Sequence, residues 1–443
     1  MQTAPKKIVN SWAMYDWANS AYNLVITSTI FPAYYEAITG DGNEATIDTV
    51  HFMGREFVNT SLYNYALSIA FVIVAISSPL LSSIADTKGN KKSFMAFFMT
   101  MGSLACAAMF FFRKENLWLG IACSIVACIG YWASLVFYNS FLPEIAAEED
   151  RDRISAKGFA YGYIGSVLLQ VICFIFVLKP EMFGITDSSF APRLSFLLVA
   201  VWWFGFAQIP LRRLPTGQPI TNDPTKHALN AGYKELQKVW TQLKSMPALK
   251  RFLMSFFFYN MAVQTVMLSA ALYGTGELQI PTVNLIISIV LIQLIAVPGA
   301  YLVAKLSSIL GNIKTLMLCV VVWIGLCSYA YLIPTHAVYQ FYGLAVGVGF
   351  VMGGIQSLSR STYSKLMPVT RDTTSFFSFF DVTEKVCIVI GLFCFGFITE
   401  ITGSQRTSVL ALIIFFVIGL AFLFYTSRIW ERNAKNENEL IHH

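Results

Sequence analysis

The sequence predicts an all-α membrane protein with twelve transmembrane helices in two six-helix halves. Of the 443 residues, 56% are hydrophobic and only 13% are charged, with a mean hydropathy of +0.59. A soluble domain carries about 25% charged residues. Long apolar segments recur along the whole chain, and one polar, basic segment near its middle separates six of them from the other six.

The apolar segments are each long enough to cross a bilayer, which takes roughly 20 predominantly apolar residues. They are continuously apolar instead of alternating in units of about ten residues, which argues against a β-barrel. We number them as predicted spans 1 to 12, at residues 12–36, 61–84, 93–112, 117–142, 155–178, 193–211, 250–273, 282–305, 314–333, 338–358, 376–399 and 407–427.

The basic residues predict the orientation. Lys and Arg concentrate on the cytoplasmic side of membrane proteins, and most of the 31 basic residues fall in inner loops and tails if the N-terminus is inside. We therefore expect both termini to be cytoplasmic, and the net charge of +6 to reflect topology instead of nucleic-acid binding. No cleavage site follows a short apolar region, so span 1 is expected to be retained. The predicted domains are a first half at 1–211, a cytoplasmic linker at 212–249, a second half at 250–427 and a cytoplasmic tail at 428–443.

A weak internal repeat relates the two halves. The turn after span 2 reads SSIADTKGNKKS and the turn after span 8 reads AKLSSILGNIKT, both with Gly-Asn. Small polar residues also recur in unrelated cytoplasmic turns, so the match alone leaves chance as an alternative. Two related six-helix halves joined by a cytoplasmic loop are the arrangement of major facilitator transporters, in which substrate binds between the halves.

The first of these turns resembles the signature loop of the major facilitator superfamily. The matching residues are Asp86, Gly89, Lys91 and Lys92, while Ser82 and Thr87 depart from the signature. The resemblance implies the major facilitator fold, with Asp86 at the N-terminal end of span 11, where a carboxylate is favoured. In the second turn Ser308 stands at the aspartate position, so we expect that role to be lost there.

Longer segments are similar to the vacuole-effluxer-like branch of the superfamily. They are DWANSAY (16–22), NSFLPEIA (139–146), RISAKGFAYGYIG (153–165), FFFYNMAVQTV (256–266) and GGIQSLSRSTYSKLMP (353–368). The resemblance implies a transporter of small organic solutes, since fungal members are taken to export amino acids. Met261 departs from the branch, because many relatives carry an acidic residue there.

Polar residues of span 1 recur at three- and four-residue steps, which places them on one helical face. They are Asp16, Asn19, Ser20, Asn23 and Thr27. Asp16 lies near the start of the span and suits a gate, or simply a cap or an ion pair with an inner-loop cation. Asn23 and Thr27 lie deeper and are expected to line the solute pathway.

Other spans contribute candidate solute ligands. Together with Asn19, Asn23 and Thr27, the predicted substrate-binding residues are Tyr138, Gln170, Asn260 and Gln264. Amide side chains both donate and accept hydrogen bonds, which suits a zwitterionic or polyhydroxylated solute. The alternative is that they bond neighbouring helices to one another.

Span 11 contains the densest ionisable cluster, Asp381, Glu384 and Lys385. Asp381 and Lys385 are i, i+4 partners, which leaves Glu384 without an obvious partner in its own helix and available to exchange a proton. A purely structural ion pair is the alternative. Arg360 follows an almost uncharged part of span 10 and is expected to contact a carboxylate such as Glu144 in an inner gate. With Asp16 and Asp86, these residues form the predicted coupling and gating set.

The function predicted from these features is secondary active transport by alternating access, with an amino acid-like solute favoured and coupling to protons expected. The alternatives are another solute (a sugar, nucleoside, peptide or drug) and a transporter-like receptor or sensor without flux. No GxxxxGK[ST], HExxH or GxSxG motif occurs and no histidine lies in a span, so ATP drive, catalysis, cofactors and a metal site are not expected.

All eight cysteines lie in spans as packing residues. We expect a monomer in a bacterial cytoplasmic membrane.

Overall fold

The computed structural model describes residues 2–40, 48–187, 189–217 and 228–441. It confirms a predominantly helical membrane protein, and eleven of its described helices are long and apolar enough to cross a bilayer. The first helix, α1, is Lys6–Ala21. The others are α2 (Asn59–Lys88), α3 (Lys91–Ala108), α4 (Leu117–Asn139), α5 (Arg151–Leu178), α6 (Phe190–Arg213), α7 (Pro247–Leu272), α8 (Thr282–Leu310), α9 (Asn312–Leu332), α10 (Val338–Leu366), α11 (Thr373–Thr402) and α12 (Gln405–Ile441).

The first span is interrupted, so its prediction as one continuous helix at 12–36 is wrong. After α1 the chain makes a π-helical turn at Tyr22–Thr27 and resumes as the helix Ile30–Thr39. The hydroxyl of Thr29 lies 2.8 Å from the carbonyl oxygen of Leu24, and so competes for a backbone acceptor. Pro32, which lacks an N–H, follows at once. Such wide turns occur often at functional sites.

Three further features lie outside the predicted spans. Thr49–Phe52 and Arg55–Val58 pair as an antiparallel hairpin between span 1 and α2, and are the only strands in the described ranges. Met53 and Gly54 join them with φ of 49° and 78°, the left-handed conformation of a tight hairpin turn. A separate helix, Ala228–Ser245, lies in the predicted linker, and α12 continues beyond its predicted span. Residues 218–227 of the linker and 442–443 of the tail fall outside the described residues.

Each half has its own apolar core. One cluster of buried side chains extends from Val9 to Leu214, and a second is drawn almost entirely from Val239 to Leu423, joined by Tyr163 of α5. In the first half α1 packs on α5 and α6, and α4 packs on α2 and α3. In the second half α7 packs on α11 and α12, and α8 packs on α10.

The two halves meet through α2 with α11 and α5 with α8, with further contacts of α5 with α10 and α4 with α11. We define the linker end of the bundle as the end where α2 and α10 finish and α5 and α11 begin. The helix Ala228–Ser245 packs on α2 and α11, at this end. Close approach of α1 and α5 is possible because Gly165 faces α1, and a Cβ there would lie 2.6 Å from the carbonyl oxygen of Trp17.

Candidate transport site and gate

A buried ion pair joins the two halves near the linker end. Arg360 of α10 donates from Nη1 to Oδ2 of Asp16 in α1 at 3.3 Å, and the side chains are only 4% and 8% exposed. Tyr138 of α4 donates from its hydroxyl to the same carboxylate oxygen at 2.7 Å. Asp16 therefore accepts hydrogen bonds from both halves at once.

Arg360 also uses most of its remaining donors. Its Nε and Nη2 donate to the hydroxyl and the carbonyl oxygen of Ser155 at 3.0 and 2.9 Å, and Nη1 donates to Oδ1 of Asn139 at 3.1 Å. The guanidinium carbon lies 4.3 Å from the ring centre of Phe159 and 4.8 Å from that of Trp12. Aromatic faces attract cations, so this enclosure stabilises a charge that would be costly to bury alone.

The prediction that Arg360 contacts a carboxylate is confirmed by Asp16, but Glu144, the carboxylate named as the example, is wrong. Glu144 belongs to a separate short helix, Leu142–Ile145, which begins just after α4 ends. That break directs Glu144 to Lys91 of α3, with which it forms an ion pair, and to the hydroxyl of Thr373, which donates to it at 2.9 Å. Glu144 thus contacts the start of α11 instead of α10.

Asp86 lies at the N-terminal end of α11, as the superfamily resemblance implies. The backbone N–H groups of Thr374 and Ser375 donate to its two carboxylate oxygens at 3.2 and 2.7 Å, and the Ser375 hydroxyl adds a contact at 2.8 Å. These are unsatisfied donors of the first helical turn, and negative charge is favoured there. The contact again joins a first-half residue to a second-half helix.

The corresponding turn of the second half also meets a carboxylate, but one supplied by the first half. Asp152, at the start of α5, accepts from Lys365 at 2.7 Å, from the Asn312 amide at 2.8 Å and from the Ser307 hydroxyl at 2.9 Å. Ser308, at the position equivalent to Asp86, is exposed. An equivalent contact is therefore present in both repeats. The carboxylate belongs to the turn in one of them (Asp86) and to the helix start that meets the turn in the other (Asp152).

The ionisable residues of α11 form a cluster in which one lysine serves two carboxylates. Lys385 donates to Oδ1 of Asp381 at 2.5 Å and to Oε2 of Glu384 at 3.3 Å, and its Nζ lies 3.7 Å from the ring centre of Trp132 in α4. The predicted pairing of Asp381 with Lys385 is confirmed, whereas the expectation that Glu384 lacks a partner in its own helix is wrong. Glu384 also accepts from the Gln264 amide at 3.1 Å. We call these five residues the central cluster.

The predicted solute ligands do not gather at one point. Tyr138 belongs to the Asp16 contact, Gln264 belongs to the central cluster, and Gln170 accepts from the Thr29 hydroxyl at 2.8 Å beside the interruption of span 1. The others differ in exposure: Asn19 and Asn260 are buried, Thr27 is half-buried and Asn23 is exposed. Within the described part of the chain, the amide nitrogens of Asn19, Gln170 and Asn260 and the second carboxylate oxygen of Asp381 are buried without a hydrogen-bond partner.

Sequence reasoning missed Trp132, Asn139, Asp152 and Ser155. Three of them carry no charge, and the partners of Trp132 and Ser155 lie more than 200 residues away in the chain. Asp152 had a usable signal, because the repeat predicts that the start of span 5 meets the second Gly-Asn turn.

Comparison with known proteins gives one consistent family. Residues 4–151 and 146–437 match the family described as vacuole effluxer Atg22 like. The chain belongs to this family. The MFS-type transporter YxiO of Bacillus subtilis (strain 168) is 32% identical over 415 residues, which cover 94% of this chain and 93% of the relative. Autophagy-related protein 22 of Kluyveromyces lactis is 26% identical over 463 residues, covering 94% and 92%.

The fold agrees with this membership. A crystal structure of the E. coli fucose:proton symporter superposes with a TM-score of 0.68 at 14% identity, covering 95% of this chain and 97% of that one. The low identity limits that likeness to the fold. The Atg22-like chain is therefore an integral membrane protein and a major facilitator transporter.

Proposed function

We propose that this Atg22-like transporter moves an amino acid-like solute by alternating access, coupled to protons, in a bacterial cytoplasmic membrane. The observation that carries the proposal is the central cluster, which lies on α11 and reaches Trp132 in the other half. It offers carboxylates to an ammonium group, and a lysine and an amide to a carboxylate. The resemblance to the vacuole-effluxer branch supports amino acids over sugars or nucleosides.

Charge balance within the central cluster supports proton coupling. Asp381 and Glu384 carry two negative charges when ionised, and Lys385 supplies one positive charge. On insertion scales an unpaired charge at a helix centre costs about 2.5 to 3.5 kcal/mol. A proton, or the ammonium group of a solute, removes the excess, so Glu384 and Asp381 are the coupling residues in this proposal.

Contacts at the linker end support alternating access. Asp16 with Arg360, Asp86 with α11, and Asp152 with Lys365 each join the two halves at this end. All three are polar and draw one partner from each half, so they separate together when the halves tilt apart. They act as the inner gate in this proposal. Asp16, Arg360 and Tyr138 are then gating residues.

Reconstituted protein tests the proposal. Counterflow and pH-driven uptake of amino acids, sugars, nucleosides and peptides are measured in proteoliposomes. We expect counterflow of amino acids, and accumulation driven by an inward proton gradient. Glu384→Gln should retain counterflow and lose accumulation, because the charge excess is gone. Glu400→Gln is the matched control, since Glu400 lies exposed on the same helix and should leave both activities unchanged.

Three outcomes would overturn parts of the proposal. Accumulation that survives in both Glu384→Gln and Asp381→Asn would remove the central cluster from coupling. Counterflow of sugars or nucleosides without amino acids would replace the solute class. Ligand binding that raises the melting temperature, with no flux of any bound ligand, would favour a sensor.

A further inference from the structure

The linker between the halves contains an amphipathic helix, Ala228–Ser245, which we call the linker helix. Its buried side includes Val239 and Leu243, while Lys234, Trp240 and Lys244 lie on its exposed side. The linker helix packs on α2 of the first half and α11 of the second. It therefore covers one of the two seams along which the halves meet.

Two contacts tie the linker helix to the beginning of α11. Lys238 donates to Oδ2 of Asp372 at 3.1 Å, and Asp372 immediately precedes α11. The ring of Trp240 stacks on Phe379 of α11 at a centroid distance of 5.6 Å. The N–H groups that bind Asp86 lie between these two points, at Thr374 and Ser375. The linker helix therefore contacts α11 on both sides, along the chain, of the residues that bind Asp86.

The exposed side of the linker helix has the chemistry of a membrane surface. Trp240 is 48% exposed beside a transmembrane helix, and tryptophan is enriched where a protein passes from hydrocarbon to headgroups. The ammonium group of Lys244 lies 5.2 Å from the Trp240 ring centre, and Lys234 lies on the same exposed side. Aromatic and basic residues so arranged are typical of a helix that lies in the bilayer interface, where anionic lipids attract its cations.

We propose that the linker helix binds the headgroups of anionic phospholipids through Lys234 and Lys244, with Trp240 as its interfacial anchor. Bound lipid holds the linker helix against α2 and α11 and so favours the arrangement in which the linker end is closed. The transporter is then sensitive to the lipid composition of the leaflet at that end, whatever its solute. This inference rests on the fold and not on the proposed substrate or coupling.

Distance measurements in nanodiscs test this inference. Spin labels at the exposed residues Lys88 and Val369 report the separation of the α2 and α11 ends across the seam. The full chain is compared in phosphatidylcholine alone and with about one third phosphatidylglycerol. Because each lysine near an anionic surface gains attraction, we expect the anionic lipid to raise the ratio of short to long distances at least about threefold.

Variants test whether the lipid response depends on Lys234 and Lys244 specifically or on any exposed basic residue. Lys234→Gln/Lys244→Gln should abolish the response, and Trp240→Ala, which keeps both charges, should weaken it. Arg153→Gln/Lys305→Gln removes two other exposed cations and should keep the full response. An equal response in the Lys234/Lys244 variant, or an equal loss in the Arg153/Lys305 control, would overturn the inference. So would reproduction of the shift by inorganic phosphate in phosphatidylcholine nanodiscs, which would indicate a soluble anion site. Melting temperatures in phosphatidylcholine identify any variant that misfolds.

Discussion

Gly158 is the residue that gives the Asp16–Arg360 ion pair its space. A Cβ at this position would lie 2.6 Å from Oδ2 of Asp16 and 2.9 Å from Nη2 of Arg360. Both atoms are held by other partners, so they cannot move aside without losing hydrogen bonds. The glycine therefore provides space for packing across the gate and not backbone freedom, since it lies within the helix α5.

We predict that Gly158→Ala weakens the gate. The added methyl group overpacks a buried site, which costs about 1 to 3 kcal/mol, and that cost falls on the closed arrangement of the linker end. Purified Gly158→Ala should melt at a lower temperature, and its linker end should be more accessible to a thiol reagent at an introduced cysteine. Gly325→Ala is the control, because a Cβ at Gly325 meets nothing within 4 Å. A Gly158→Ala variant that matches this control in both measurements would contradict the prediction.

How far the sequence predicts the site is clear from Asp16 and Arg360. Helical spacing correctly placed Asp16 on a face turned toward the protein, and the cost of an ionised group in a span correctly marked Arg360 as needing a carboxylate. The choice of Asp16 over Glu144 depends on where α4 ends and the short helix Leu142–Ile145 begins. Periodicity locates such a boundary only to within a few residues. An error of one helical turn is enough to assign Arg360 to the wrong carboxylate.

The interruption of span 1 is an element that hydropathy does not report. A sliding window averages over residues 22–29, in which three consecutive apolar residues at 24–26 are followed by three hydroxyl residues at 27–29. The π-helical turn depends on hydroxyl groups that bond carbonyl oxygens five residues back, such as Ser28 with Asn23 at 2.9 Å. It also depends on Gln170 of α5, which meets Thr29 at 2.8 Å. Tertiary contacts of this kind are not encoded in local composition.

The two Gly-Asn turns give a second prediction, because their partners differ in kind. Asp86 is bound mainly by backbone N–H groups, which can only donate. Asp152 is bound by Lys365, Ser307 and Asn312, and hydroxyl and amide groups both donate and accept. We therefore expect Asp152→Lys and Lys365→Asp each to reduce transport, and the double exchange to restore most of it.

Breaking a buried ion pair by removing one partner costs about 3 to 5 kcal/mol, so each single variant should also melt earlier. Asp86→Lys provides the contrast: no single exchange in α11 should rescue it, because its backbone donors cannot become acceptors. Transport rates and melting temperatures of the five variants, including Asp86→Lys paired with Ser375→Asp, check both statements. A double exchange at Asp152 and Lys365 no better than either single variant would show that the contact is not a simple ion pair.

At the scale of the whole molecule, the composition and the positions of the apolar segments predict a membrane protein of many spans in two halves, whereas the major facilitator fold itself followed from the repeat and the family resemblance. Each span needs only length and hydropathy to be recognised, and the polar segment near the middle of the chain marks the division into halves. Which helices meet across that division cannot be read from hydropathy, because lipid-facing and protein-facing sides are almost equally apolar. The seams of α2 with α11 and α5 with α8 were accessible only through the family resemblance and the structure.

The last prediction concerns the movement of the halves as units. Ser140, just after α4, and Thr374 of α11 lie in different halves, with their hydroxyl oxygens 3.2 Å apart. Thr399 of α11 and Ser408 of α12 lie in the same half, with theirs 2.7 Å apart. The side chains of each pair are in direct contact, so cysteines at these positions are candidates for engineered disulfide cross-links. The two cross-links therefore differ chiefly in whether they join the halves.

In a background whose native cysteines are replaced, oxidation of Ser140→Cys/Thr374→Cys should abolish transport, and reduction should restore it. Oxidation of Thr399→Cys/Ser408→Cys should leave transport close to that of its reduced form, because the second half moves as a unit in the proposed mechanism. Transport measured in proteoliposomes before and after oxidation checks both expectations, with cross-linking verified by mass spectrometry. Full transport by the oxidised Ser140/Thr374 pair would mean that the linker end does not need to open. Loss of transport in the oxidised Thr399/Ser408 pair would mean that α11 moves relative to α12, so that the second half does not act as a rigid unit.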